Sequence, residues 1–323
     1  TYKVKVKQGK TYLLRIINSA LNNEHFFEVA NHTLTVVAID ASYTNHYDTK
    51  VVVLAPGQTV DVLLRTNQCV GSYYMAFTPY HSDPLVPINA NMTRGVIIYE
   101  GATSACPIMP DLPVQTDTPT AHKFYTNVTG LVGGPHWVPV PRHVDEHMFI
   151  TFGINFDICR SDSVVCPGPL PLFSANMNSE SFVLPRGKGM SMLEAFYRND
   201  VTGVYTRDFP DQPPIVFDYT NPNITTSPDT PLGFLIAPKS TKVKTLKFNS
   251  TVEIVLQNTA IVTAENHPIH IHGFNFHVLA QGFGNYNATR DEPKFNFVNP
   301  QIRNTISVPV GGWSVIRFQA NNP

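Results

Sequence analysis

No stretch of 18 apolar residues occurs in these 323 residues, so a transmembrane helix is not expected. Charge is scarce as well: Asp, Glu, Lys and Arg make up 15% of the chain, against about 25% in ordinary soluble proteins. The net charge is −1 and no basic run stands out. The sequence therefore offers no partner surface for nucleic acid or for an anionic membrane. There is also no initiator Met and no apolar leader. The chain opens inside strand-like sequence, Thr1-Tyr2-Lys3-Val4-Lys5-Val6, and we expect it to be a piece of a longer protein.

What is abundant is proline, at 27 residues, with aromatics at 11%. That mixture suits short strands joined by proline-rich turns, the pattern of an all-β fold. Two ungapped internal matches support it. Val6–Asn18 aligns with Leu246–Asn258, and Pro56–Asn67 aligns with Val310–Asn321. Each reads as a turn followed by an alternating strand, and the widening offset places a longer loop in the second copy, at Gly282 to Phe295. A duplicated strand pattern means two domains of one fold. The Pro/Thr/Ser/Asp-rich run from Thr103 to Ala121 separates them. The expected organisation is a first domain over 1–105, a linker over 106–121 and a second domain over 122–323. The second is expected to be incomplete at its C-terminus, because no counterpart of Ser72–Phe77 follows Asn321.

Six Asn-x-Ser/Thr sequons, at Asn31, Asn91, Asn127, Asn223, Asn249 and Asn287, indicate a secreted glycoprotein. Four cysteines suit an oxidising compartment. Cys159 and Cys166 are close enough in sequence for a disulfide across the loop Arg160 to Val165. Cys69 and Cys106 can pair with each other or reach a part of the protein outside these residues.

The segment richest in chemistry is His267-Pro268-Ile269-His270-Ile271-His272-Gly273. Side chains alternate along a strand, so His270 and His272 share a face, while His267, beyond a proline, can serve another site. Imidazole nitrogen suits copper and zinc. A polar strand with three unrelated histidines is the plain alternative. His143 and His147 flank Val144-Asp145-Glu146 at a spacing that holds zinc on a helix, but Pro135, Pro139 and Pro141 argue for a solvated loop. The remaining histidines are scattered singly.

The histidine run, with Phe274-Asn275-Phe276-His277-Val278-Leu279 after it, resembles the third cupredoxin domain of multicopper oxidases. Gly282–Asn287, Lys294-Phe295-Asn296, Arg303-Asn304-Thr305, Gly311-Gly312-Trp313, Lys123–Asn127 and Ser181–Pro185 resemble plant laccases in particular. Gly9–Arg15 and Ala30-Asn31-His32-Thr33 resemble their second domain. The resemblance implies two cupredoxin-like Greek-key β-sandwiches, the first copper-free: a shift of 242 sets Glu28 and Ala30 opposite His270 and His272. It implies copper, with His267 on the type 1 ion, His270 on the type 2 ion and His272 on one of the type 3 pair. Family members continue with a His-Cys-His segment after the equivalent of Asn322-Pro323. They also carry His-x-His pairs in a first domain, so the 323 residues alone are expected to be catalytically silent. The implied activity is one-electron oxidation of phenols such as monolignols, coupled to reduction of O2 to water, by a monomer in the plant cell wall space. Asn22, Glu24, Tyr80 and His81 would border the substrate. An ascorbate oxidase, or a non-enzymatic cell-wall glycoprotein on the same fold, are the alternative readings.

Overall fold

A computed structural model describes residues 2–82, 91–103, 106–157, 172–185, 189–221, 223–224, 232–259, 261–262 and 265–322. Contacts divide the chain into two compact units. The first comprises Thr1–Val140, Asn266–Gln281 and Lys294–Ser307; the second comprises Pro141–Glu265, Gly282–Pro293 and Val308–Pro323.

The first unit is a β-sandwich. Its strands are β1 (Tyr2–Val6), β2 (Thr11–Ile17), β3 (Glu24–Val29), β4 (Leu34–Ile39), β5 (Ser42–Thr49), β6 (Val51–Leu54), β7 (Thr59–Arg65), β8 (Ser72–Tyr80) and β9 (Thr93–Tyr99). One sheet runs β1-β9-β8-β3-β6 and the other β2-β7-β4-β5, so the chain passes repeatedly between layers. Sequence alternation explains the layering. In β7, Val60, Val62 and Leu64 are buried while the residues between them are more exposed, which is the period of a half-buried strand. These side chains meet Phe26, Val36 and Val52 from the other strands in one core. The turn from β4 to β5 is Asp40-Ala41, both left-handed at φ 43° and 64°, as a two-residue hairpin turn demands.

A helix lies where the linker was expected to end. Helix α1 (Thr118–Asn127) starts at Asp117, whose carboxylate accepts from the Thr120 N–H at 3.0 Å, and has a proline in its first turn. These are ordinary start signals. Ala121, Phe124 and Tyr125 join the sandwich core, so this part of the expected linker is packed structure.

The second unit contains β10 (Glu146–Asp157), β11 (Leu172–Met177), β12 (Ser181–Phe182), β13 (Lys239–Ser240) and β14 (Thr251–Asn258). Beyond it in sequence come β15 (His267–His270), β16 (Phe276–Phe283), β17 (Gln301–Arg303), β18 (Thr305–Val308) and β19 (Gly312–Gln319). Short helices α2 (Met192–Tyr197), α3 (Leu232–Leu235) and α4 (Ala288–Asp291) decorate the second unit. Strands β11, β10, β14 and β19 are hydrogen-bonded in that order, β10 and β14 in parallel. Arg317 on β19 lies opposite Glu253 on β14 and is bonded to it through two nitrogens, the pair being almost fully buried. No helix among the described residues is long and apolar enough to cross a membrane.

Chain order and contact order differ here. Asn266–Gln281 and Lys294–Ser307 belong to the expected second domain, yet they are part of the first compact unit. Buried polar bonds from Gln301, Arg303 and Ser307 to Tyr125, Asp40 and Glu24 hold the later stretch there. The compact units therefore do not coincide with the expected spans 1–105 and 122–323.

Gly282 marks a close approach in the second unit. A Cβ at this position would sit 2.5 Å from Cζ2 and 2.8 Å from Cε2 of the buried Trp313 ring. A rigid indole has nowhere to go, so Gly282→Ala is expected to cost about 1–3 kcal/mol. Denaturant unfolding followed by Trp313 fluorescence checks this.

Candidate metal centre

The histidine run is placed by β15, which pairs with β18 in a two-stranded sheet. Such a short ribbon tolerates Pro268, because a proline removes only one donor and edge positions can spare it. His267 is partly buried, and desolvation pushes its pKa below the ordinary value. That favours the neutral imidazole, the form with a lone pair to donate. His270 closes the strand and His272 follows in the turn with Gly273, at φ 79°. The two exposed rings stand side by side, centroids 5.1 Å apart.

His270 is oriented by the chain that follows β17. Its Nδ1 lies 2.6 Å from the Asn304 carbonyl and 3.1 Å from the Thr305 hydroxyl. A carbonyl can only accept, so Nδ1 carries the proton and the Nε2 lone pair faces away from these partners. This is the arrangement by which proteins fix the tautomer of a metal-binding histidine. The backbone at Asn304 is itself anchored. Arg303 and Asp40 form an ion pair at 3.2 Å with side chains 0% and 1% exposed. At the end of β18 within this unit, the Ser307 hydroxyl donates to Glu24, which also accepts from Tyr125 at 3.1 Å. Burial raises the Glu24 pKa, and these hydrogen bonds only partly offset it.

The expected substrate wall needs correction in two places. Glu24 and Tyr80 are 4% and 3% exposed, held inside by Ser307, Tyr125 and Thr118. A buried, bonded side chain cannot line a pocket open to substrate. Asn22 is exposed and His81 partly so.

His143 and His147 are not brought to a common ion. His143 pairs with Asp145 at 3.1 Å, and His147 pairs with Glu253 at 3.2 Å. His32 is buried between the Ala30 carbonyl and the Tyr99 hydroxyl, each 2.7 Å away. Cys69 and Cys106 are exposed free thiols rather than a pair. Cys159 and Cys166 lie outside the described residues. All six sequon asparagines are exposed.

The repeat equivalents of His270 and His272 are interior. Glu28 and Ala30 are 5% and 0% exposed, and Glu28 Oε2 has no hydrogen-bond partner. Burial, reinforced by Asp111 and opposed by Lys50, pushes the Glu28 pKa up to about 7. The unfolded carboxyl titrates near 4.3, so folding favours the protonated form. Its destabilising effect is absent below pH ~4, grows between ~4 and 7, and is complete above 7. Glu28→Gln is therefore expected to raise thermal stability at pH 8 and leave it unchanged at pH 4, by melting curves at both values.

An imidazole tied at Nδ1, as in His270, offers Nε2 as a donor suited to copper, and the residues present fit that ion. They are not a complete site, since no group of three or more His, Cys, Asp or Glu able to hold a metal occurs among the described residues.

Comparison with known proteins agrees with this chemistry. Two sequence models described as multicopper oxidase match residues 1–102 and 208–323. Laccase-7 of Arabidopsis thaliana is 58% identical across all of this chain and 56% of its own length. Laccase-24 of Oryza sativa subsp. japonica is 51% identical with the same coverage. The chain thus spans a little over half the length of these curated relatives. Two solved structures share the fold over the whole chain: the laccase from Botrytis aclada and Fet3p, a multicopper oxidase that functions in iron import. The first has a TM-score of 0.61 at 20% identity over 49% of its own chain. The second has 0.65 at 18% over 53%.

Proposed function

Because this chain belongs to the multicopper oxidase family, we propose that it is part of a laccase that oxidises phenols and reduces O2 to water. The observation that carries this is the oriented histidine run, with His270 Nδ1 tied to Asn304 and its ring beside that of His272. Identity of 58% to a plant laccase supports the choice within the family.

In this reading His267 holds the type 1 copper, His270 the type 2 copper and His272 one of the type 3 pair. The remaining donors come from the rest of the oxidase. Copper, when bound, supplies the redox chemistry, taking electrons singly from the phenol and delivering four to O2. The protein's part is to orient these imidazoles. The Asn304 carbonyl and Thr305 hydroxyl fix the ring of His270, and partial burial favours the neutral form of His267. Asn22 and His81 are the accessible remainder of the substrate wall. The exposed sequons at Asn31, Asn91, Asn127, Asn223, Asn249 and Asn287 support an extracellular, glycosylated enzyme.

The test is to express the oxidase containing this chain, load it with copper and follow oxygen consumption with a monolignol. Sustained uptake dependent on the phenol is the expected result. A fully copper-loaded protein that consumes no oxygen with any phenol overturns the proposal.

A further inference from the structure

We infer that Asp40 is a positioning residue for His270, acting through the backbone of Asn304; its relevance to copper rests on the ligand role proposed for His270. Asp40 lies 264 positions before Asn304, at the hairpin turn of the region read from sequence as copper-free. One carboxylate oxygen, Oδ1, accepts from the Thr59 N–H at 2.9 Å. The other, Oδ2, accepts from Arg303 Nε at 3.2 Å and from the Asn304 N–H at 3.3 Å.

The chain on the far side of Asn304 is fixed as well. The Thr305 carbonyl accepts from Arg303 Nε at 3.1 Å and from Gln58 Nε2 at 3.0 Å. A residue has only two soft backbone torsions. With its N–H held by Asp40 and the next carbonyl held by Arg303 and Gln58, Asn304 keeps little freedom. Its own carbonyl is the group that meets His270 Nδ1 at 2.6 Å and the Ile271 N–H at 3.4 Å. Rotation of that carbonyl would release the imidazole proton and with it the preference for Nε2 as donor.

A role confined to stability explains less. A buried ion pair is weak as a source of stability, because desolvation offsets its attraction, and apolar replacement is often neutral. Here the carboxylate also bonds the backbone segment whose carbonyl meets His270. Partners bonded to a ligating histidine typically govern metal affinity by about 10–100-fold.

The experiment is nitrogen-15 NMR of the histidine rings in the full chain, which distinguishes Nδ1–H from Nε2–H. In the wild type His270 is expected wholly as Nδ1–H, with a slowly exchanging Asn304 amide. Asp40→Asn retains an acceptor for Thr59 but replaces the oxygen facing Asn304 with a donor. It should bring up the Nε2–H form of His270 to at least parity while leaving His272 unchanged. Asp40→Leu/Arg303→Met removes both charges together and should give the same result if the single variant does not fold. A folded variant whose His270 stays wholly Nδ1–H overturns the inference. So does a wild type in the Nε2–H form, or one whose Asn304 amide exchanges at an unprotected rate. In the copper-loaded oxidase, Asp40→Asn should lose its type 2 electron paramagnetic resonance signal to a chelator about 10–100-fold more readily, with the blue absorption unchanged. A shifted tautomer with copper retention unaltered leaves the positioning intact and overturns the ligand role of His270 instead.

Discussion

Alanine at His270 in the copper-loaded oxidase is expected to lower phenol-driven oxygen uptake by about a hundredfold or more. Loss of a residue that merely orients a ligand costs about 10–100-fold, and removal of the donor itself should do no less. The spectra should separate the histidines. His267→Ala removes an imidazole from the proposed type 1 centre and should abolish the intense blue absorption that such centres owe to their thiolate–imidazole ligand set. His270→Ala should leave that absorption in place. His143→Ala and His147→Ala serve as controls, since each ring has its own carboxylate partner away from the run. An oxygen electrode, a visible spectrum and copper analysis of each variant suffice. A His270→Ala protein with the parental rate and full copper would falsify the assignment.

The largest effect on stability is expected at Arg303. Its side chain is 0% exposed and bonded to Asp40, Thr305 and Gln301. Arg303→Ala leaves the Asp40 carboxylate, 1% exposed, without its counter-ion, at a cost of about 3–5 kcal/mol. The paired change Asp40→Leu/Arg303→Met should be far milder, because no lone charge remains. Two compact units need not unfold together, so the probe matters. The two tryptophans divide between the units, Trp137 in the first and Trp313 in the second. Denaturant unfolding in a Trp313→Phe background therefore reports on the unit that contains Arg303. Equal midpoints for Arg303→Ala and its parent would refute the expected cost.

Much of the architecture was legible because it is periodic. The alternation of Val60, Val62 and Leu64 identifies β7 without reference to any partner, and the duplicated strand pattern identifies the repeat. The histidine run stands out by its residue types and spacing, but β15 ends at His270 and His272 lies in the turn beyond it, so the closeness of their rings comes from that turn and not from strand alternation. What could not be read was pairing across long separations. Nothing local in Asp40-Ala41 points to Arg303, and nothing near Ser307 points to Glu24. Those contacts tie the 294–307 stretch to the first unit. Helix α1 was missed although Asp117, Thr118 and Pro119 are a standard start, because the surrounding proline and threonine content suggested a linker. Resemblance sets Glu24 and Tyr80 beside the substrate, while the partners that hold them inside, Ser307, Tyr125 and Thr118, are distant in sequence and nothing local points to them.

The first unit draws on three separate stretches of chain, the last of them ending at Ser307. During synthesis its opening 140 residues must therefore leave the ribosome long before the two stretches that complete the unit. At about 5–20 residues per second, the gap between Val140 and Ser307 corresponds to roughly ten to thirty seconds of translation. Through that interval the carboxylates of Asp40 and Glu24 have neither Arg303 nor Ser307 to meet. Non-local pairing of this kind slows folding. The apolar core, drawn from Val6 to Val128, is available early, and the buried polar seam to Arg303 and Ser307 should be the last part to close.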